Sequence, residues 1–460
     1  SPRGIVLRRE VLPQEISLSG AQVSLTRGAD GGVAVSFNTG GAAMQEAANL
    51  TALLGSLDTM LEQPALAALE RITADGLILN YDDARAGRGW TVDGGQVALD
   101  FTGGRTRLDS DLVLLSGRDF VTTLALSFES PRGSSEAALS VRVDDVLAAD
   151  IATQSPALSW LGVLEARLSA ELDARLLPDG KLGPLRAALD IRDGALRPDP
   201  RTEPVNFQSA RAVLDFDPVA GRISFDTVEV ESDWGAAKGE GRAYLQSAET
   251  DWPTALVAQF ALTDIVLDPP GLYPEPVRLA GASADFRLRL EPFAVDLGRF
   301  TIETEPGPGD APAARLAGSG RVTVEDGGWQ VGLDGRAARL EAAQLLALWP
   351  ERIKPGTRRW FVNNLAQGTM TDIAGGIRLT QGAERPDIAL THEFRDADVR
   401  VMRTLPLVRG AQGVVSIQNN ALTVTVHDGL MAAPQGGAAD IAGSVFRIPD
   451  TRIPQPTPAR

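Results

Sequence analysis

Two histidines, His392 in THEFRDADV and His427 in TVHDG, are the only imidazoles in the 460-residue chain. His392 opens a His-Glu pair but lacks the second histidine four positions on that a zinc-binding helix needs. Both are expected as surface side chains. The adjacent carboxylates Asp82-Asp83 and Asp144-Asp145 resemble acid/base pairs, yet neighbours in a strand point to opposite faces, and aspartate is common in turns. They are expected as solvated turn residues. Cysteine is absent, which removes disulfides, thiolate zinc sites and a cysteine nucleophile. No G-x-S-x-G, Walker A or dinucleotide fingerprint stands between a strand and a helix. Arg358 and Arg359 have the donors to hold a phosphate headgroup, although a solvated helix face accounts for them without a ligand. The expectation is a chain that is not an enzyme, with no metal and no cofactor.

The elements that carry these residues are mostly strands. In VVSIQNNALTVTV, Leu422, Val424 and Val426 share one face, Thr423, Thr425 and His427 the other, and Asn419-Asn420 suits a tight hairpin turn. In ADFRLRLEP, Phe286, Leu288 and Leu290 oppose Asp285, Arg287, Arg289 and Glu291 in the same way. Gly-Gly, Asp-Gly and Asp-Pro punctuate further alternating runs. Three stretches, Pro204 to Gly239, Pro276 to Gly318 and Pro406 to Gly443, share a Pro entry, alternating strands and a small-residue ending. They read as a weak internal repeat whose units bury their apolar faces by stacking; a large sandwich with chance similarity is the alternative.

Two segments break the pattern. Over 41–70, Leu50, Leu53, Leu54, Leu57 and Leu61 follow helical spacing. From Leu340 to Trp349 a helix is expected to stop at Pro350, and Thr357 can cap a second, carrying Trp360, Phe361, Val362 and Leu365 and ended by Gly368. Core packing explains those aromatics without a ligand. The chain thus divides into an N-terminal β segment (1–40), a helical insertion (41–70), repeated β units (71–339), two short helices (340–368) and a further β unit (369–460). The fold class is mainly β: an elongated, twisted antiparallel β-groove of repeated units with a few short amphipathic helices.

Composition narrows the partners. Hydrophobic content of 43% and charged content of 23% are those of a chain that buries a core. A net charge of −16 speaks against nucleic acid, whose phosphates need a concentrated basic surface. Lys181, Lys238 and Lys354 are the only lysines, a bias assigned to genome coding. No stretch approaches the ~18 apolar residues of a membrane span. The start, SPRGIVLRRE, has no initiator Met or signal-like apolar run, and the end, RIPQPTPAR, is a Pro-rich connector, so the chain is expected to be part of a longer one.

The stretch LWPERIKPGTRRWFVNNLAQGTMTDIAGGIRL resembles a signature of the YhdP branch of the AsmA-like superfamily: W-P, then R-x-W, then N-L-x-x-G followed by a strand. The matching positions are Trp349, Pro350, Arg358 or Arg359, Trp360, Asn364, Leu365 and Gly368. LPQEISLSGAQVSLTRGADGGVAVSF adds a weaker likeness to the family's opening phrase. The resemblance implies a periplasmic segment of a bridge anchored in the inner membrane, carrying phospholipid in a β-groove toward the outer membrane and supporting its barrier. The family's N-terminal membrane helix is missing from this sequence. Phe286, Leu288, Leu290, Leu422, Val424 and Val426 are then candidates to line the groove, since an apolar sheet face must be covered by something. A secreted adhesive β-repeat is the alternative, although the units are long, unequal and interrupted by helices. A carbohydrate-active enzyme would need paired carboxylates and exposed aromatics, and only 5% of the chain is aromatic.

Overall fold

Side chains that alternate between apolar and polar, with Gly, Asn and Asp at the breaks, make a pleated, half-buried strand the favoured local structure along most of this chain. The computed structural model describes residues 12–450 apart from 29–31, 38–44, 48–58, 60–61, 85–86, 116–118, 135, 179–181, 247–252, 308–311, 353–354, 384–385, 402–403 and 433–435. The protein is mainly β, 66% strand, with few short helices and a mostly antiparallel arrangement. It divides into two compact units, Ser1–Ala195 with Ser209–Thr227, and Leu196–Gln208 with Val228–Arg460.

The first unit begins with β1 (Glu15–Ser19), β2 (Gln22–Arg27), β3 (Val33–Phe37), β4 (Gln45–Ala47), β5 (Arg71–Asp75), β6 (Ile78–Asp83) and β7 (Arg88–Asp100). Here the expected antiparallel order is broken, because β1 pairs with β5 and β2 with β6 in parallel. A meander follows: β8 (Arg105–Leu115), β9 (Thr122–Pro131), β10 (Ala137–Leu147) and β11 (Leu164–Leu176), each antiparallel to the next. The leucines of the expected helical insertion lie outside the described residues. Near its start, however, Gln45–Ala47 is strand, paired with β3.

Between β10 and β11 the chain forms α1 (Ala148–Ala152) and a 3-10 run, Pro156–Val163. Pro156 suits the first helical position, and the Ser155 hydroxyl accepts from the Ala157 amide at 3.3 Å. This insert places Leu158 and Leu161 in the core, with β12 (Leu182–Leu196) contributing Leu189 and Ile191. Each such side chain removed from water contributes about 1.5–3 kcal/mol. The insert packs on the strands that flank it, β10 and β11.

The carboxylates tell a different story from the one expected. Asp83 is not a solvated turn residue: it ends β6 at 1% exposure, paired with Arg27 at 3.3 Å and accepting from Tyr81 Oη at 3.1 Å and Gln154 Nε2 at 3.2 Å. Its neighbour Asp82 is exposed, the other face of the same strand. Burial first, and then the Asp83 charge, push the Tyr81 phenol above its ordinary value. Asp144 and Asp145 are exposed, as expected, but sit in a bulge of β10 rather than a turn, Asp145 with φ 55°.

β13 (Val205–Asp217) and β14 (Arg222–Ser232) contribute residues to both units. The second unit continues as β15 (Gly235–Gln246), β16 (Ala255–Leu267), β17 (Val277–Arg289), β18 (Ala294–Thr304), β19 (Arg315–Glu325) and β20 (Gly328–Glu341). After α2 (Ala342–Leu348) and α3 (Pro355–Asn364) come β21 (Leu365–Thr380), β22 (Asp387–Val399), β23 (Val408–Gln418) and β24 (Ala421–Ala432). Every strand from β15 to β24 is antiparallel to the next. Two short strands, β25 (Ala438–Asp440) and β26 (Val445–Ile448), share the outer side of β24. Each of the three repeat copies spans three successive strands: β13 to the start of β15, β17 to the start of β19, and β23–β25.

Candidate functional site

Directly opposed residues of an antiparallel pair lie on the same face, so the registers of the second unit trace one face across many strands. Starting from β16, Leu256 opposes Leu288, which opposes Val295, which opposes Val322, Val331 and then Leu379. A second row runs Phe286, Leu297, Gly320, Leu333, Ile377, Ile388. Farther along, Leu390 opposes Ile417, which opposes Leu422, and Val415 opposes Val424, which opposes Phe446. Phe286 and Leu288 are thus joined by register to Leu422, Val424 and Val426 on one continuous face. Leu290 lies one residue beyond the end of β17, in the turn.

This face is apolar and, although Leu256 and Ala258 are buried, much of it is only partly withdrawn from solvent. Phe260, Phe286, Leu288, Leu333, Leu390 and Val424 are all only half-buried, in contrast to the leucines at 0–1% exposure in the first unit. Where the face is closed, short helices and connections do it. Leu345 and Leu348 of α2 pack on Ala337, Leu340 and Met370. A second small core joins Ala397, Val408 and Ala411 with Leu365, Phe394 and Ile441.

Glycines on the face seat the large side chain directly opposite. Gly241 opposes Phe260, Gly318 opposes Phe300 and Gly413 opposes Phe394. A Cβ on any of the three would stand 2.6–2.8 Å from the facing ring. Gly320 and Leu333 repeat the device with an aliphatic partner. Gly241, Gly318 and Gly320 lie in the GEG and GSG pieces that close sequence units, where the spacing of two is the signal that the glycines share a face, whereas Gly413 lies in RGAQGVV without such a partner.

Aspartates at positive φ mark mid-strand irregularities. Asp264, Asp372 and Asp396 have φ of 49°, 50° and 51°, and the registers shift across Asp372 and Asp396. A bulge bends its strand and strengthens the twist. Immediately after each, Ile265 and Ala397 are buried and Ile373 joins the α2 core. The bulges therefore stand where the open face gives way to small closed cores.

The family-motif residues have structural partners. The α2 start is closed by a capping box between Glu341 and Gln344. Its C-terminal carbonyls are taken by Arg358, whose Nε donates to Trp349 O at 3.1 Å and Nη2 to Leu346 O at 3.3 Å, and by Tyr273 Oη, which donates to Leu348 O at 3.1 Å. Arg358 is thus a staple between the helices, with Glu351 at 3.3 Å as its ion-pair partner, and only Arg359 is solvent-exposed as expected. The α2 helix ends at Leu348, just before Trp349-Pro350, whose ring prevents its continuation.

Other expectations for this segment fail. α3 starts at Pro355, so Thr357 lies inside it rather than capping it. It does not end at Gly368: Asn364 closes it, donating Nδ2 to Trp360 O at 2.8 Å, and β21 begins at Leu365. Gly368 sits within β21 against Ala397. Trp360 is 38% exposed and is not core; its ring meets Phe361 edge-on at 5.6 Å, and Phe361 meets Trp349 at 5.5 Å. The aromatics stitch the helices together while leucines lie on the sheet.

His392 corrects the expectation of a surface side chain. It is 6% exposed, and register places it on the apolar face opposite Val415, between Leu390 and Phe394. Burial depresses its pKa below the ordinary value. The signal was in DIALTHEF, where Ile388, Leu390, His392 and Phe394 alternate at period two. His427 is exposed.

The opposite face is polar and ion-paired. Arg378 meets both oxygens of Asp334 at 2.9 Å, and Asp296 lies between Arg289 and Arg321 at 3.0 and 3.1 Å. A depression there is lined by Arg299, Ser319, Asp334, Arg336, Arg378 and Thr391. Among the described residues no three His, Asp or Glu side chains gather as a metal site, and no helix is long and apolar enough to cross a membrane. Comparison with protein-family models, with curated proteins and with solved structures returned no match.

Proposed function

We propose that the protein is the periplasmic segment of a bridge-like lipid transfer protein, whose parent chain is anchored in the bacterial inner membrane and passes phospholipid toward the outer membrane. The observation that carries this is the face traced from β15 to β24, on which large apolar side chains such as Phe260, Phe286, Leu288, Leu333, Leu390 and Val424 stay only half-buried. An apolar surface of that extent needs an apolar cover. Acyl chains supply one, since each methylene withdrawn from water contributes about 0.8 kcal/mol. The resemblance of the Trp349–Gly368 segment to the YhdP branch supports the same function. Tails would lie along the face with headgroups toward solvent, and transfer would involve no covalent step.

Native mass spectrometry with lipid extraction of the purified protein tests this. Co-purifying phospholipid, displaced from a Val424→Asp variant, is the expected result. Protein that neither retains nor takes up phospholipid from vesicles would overturn the assignment and leave a structural β-repeat scaffold.

A further inference from the structure

We propose that His392 makes lipid occupancy of the apolar face proton-dependent: the neutral ring admits an acyl chain, and the protonated ring excludes it. The inference rests on the lipid assignment above. Along the rows joined by register from β15 to β24, the other described side chains on this face are aliphatic, aromatic, a glycine hydrogen or, as at Met370 and Thr304, groups that do not titrate. His392 is the one group there that can gain a charge.

The ring's surroundings favour its neutral form. Its Nδ1 stands 3.0 Å from the Glu393 carbonyl, which can only accept, so the proton sits on Nδ1 and Nε2 carries the lone pair. A solvent proton would be taken up at Nε2. Among its described register neighbours, no carboxylate is paired with it to stabilise the resulting cation. On β23 the opposing residues are Val414, Val415 and Ser416. On β21 the neighbouring charge is Asp372, which is exposed at its bulge. On its own strand Glu393 points to the other face and pairs with Arg395 at 3.0 Å. An acyl chain laid over the ring removes the remaining solvent and disfavours the cation further. By linkage, lipid binding lowers the affinity for the proton and protonation lowers the affinity for lipid.

The test measures binding of phosphatidylcholine with a fluorescent acyl chain, whose headgroup does not titrate in the range used, between pH 8 and pH 5. Affinity of the unmodified protein should fall by up to about tenfold for each pH unit below the His392 pKa. His392→Leu should bind with no pH dependence, and the exposed-site control His427→Gln should keep the fall. A flat profile for the unmodified protein, or the same fall in His392→Leu, overturns the proposal while leaving the lipid face standing. No binding by any form at pH 8 overturns the lipid assignment instead. In the unmodified protein, nuclear magnetic resonance of the two histidine rings gives a readout that needs no variant. Saturating lipid should move the His392 titration to lower pH and leave His427 in place, and an unmoved His392 overturns the gate.

Discussion

The Phe394 ring lies over the Cα of Gly413, its partner in register, so closely that a Cβ there would stand 2.8 Å from Phe394 Cζ and 2.0 Å from the Thr425 carbonyl oxygen. Gly413→Ala should therefore force both strands to shift, costing about 1–3 kcal/mol. At Gly375, where the nearest atoms are the Ala389 oxygen at 3.1 Å and Leu390 Cδ1 at 3.3 Å, the same change should cost less. Urea midpoints of the two variants check the order; equal midpoints would remove the seating role.

Val424→Asp and Thr425→Asp separate the faces of one strand. Val424 lies between Val415 and Phe446, whereas Thr425 belongs to the other face. Because Val424 is half-buried, its variant should still fold, with a carboxylate on the apolar face. The expected outcome is lost phospholipid loading for Val424→Asp and near-normal loading for Thr425→Asp, measured by lipid extraction after circular dichroism confirms folding.

Arg358 and Trp360 should differ in the reverse of their size. Trp360→Ala removes a partly exposed ring and should cost about 1 kcal/mol, below the range for a core aromatic. Arg358→Met strips the donor from two carbonyls at the end of α2 and should cost about 1–3 kcal/mol. Thermal melting with Trp360→Ala the more damaging change would contradict the staple.

In the first unit, Arg27→Met removes the guanidinium that stands 3.3 Å from the buried Asp83 carboxylate and should destabilise by about 1–3 kcal/mol. Adding Asp83→Leu should recover much of that loss. A double variant as unstable as Arg27→Met alone would show that the pair contributes through packing rather than charge.

Stability should also fall with acid through His392. Its folded pKa lies below the ordinary 6.5 because of burial, so the unfolded chain binds the proton more readily. The stabilisation is full above about pH 6.5 and declines as pH falls from there toward the folded pKa. Urea unfolding between pH 8 and pH 5 should show this decline, and His392→Leu should flatten it.

What was legible in the sequence was local. Alternation placed Leu422, Val424 and Val426 on one face, and Asn419-Asn420 adopts the φ values of 47° and 63° that a tight hairpin requires. Pro350 marked the end of α2. The burial of Asp83 depends on Arg27, far away in sequence, and the parallel pairs β1–β5 and β2–β6 likewise join distant segments, so no short window carries them. The bulges at Asp145, Asp372 and Asp396 were missed for a related reason: only a register shows that a strand has one residue more than its partner. His392 was different, for its period-two pattern was present and was outweighed by the general tendency of histidine toward the surface.

From β15 to β24 each strand pairs with the next one in the chain, and apart from the connection that carries α2 and α3 no connection exceeds ten residues. Assembly there can proceed in chain order, closing one small loop at a time, which is the regime of fast folding. β1 cannot begin this way, because its partner β5 appears only after a long intervening segment, and β2, although it pairs with the following β3, must also wait for β6. A chain of this design can lengthen by adding hairpins without disturbing those already formed, while its first strands wait for partners not yet made.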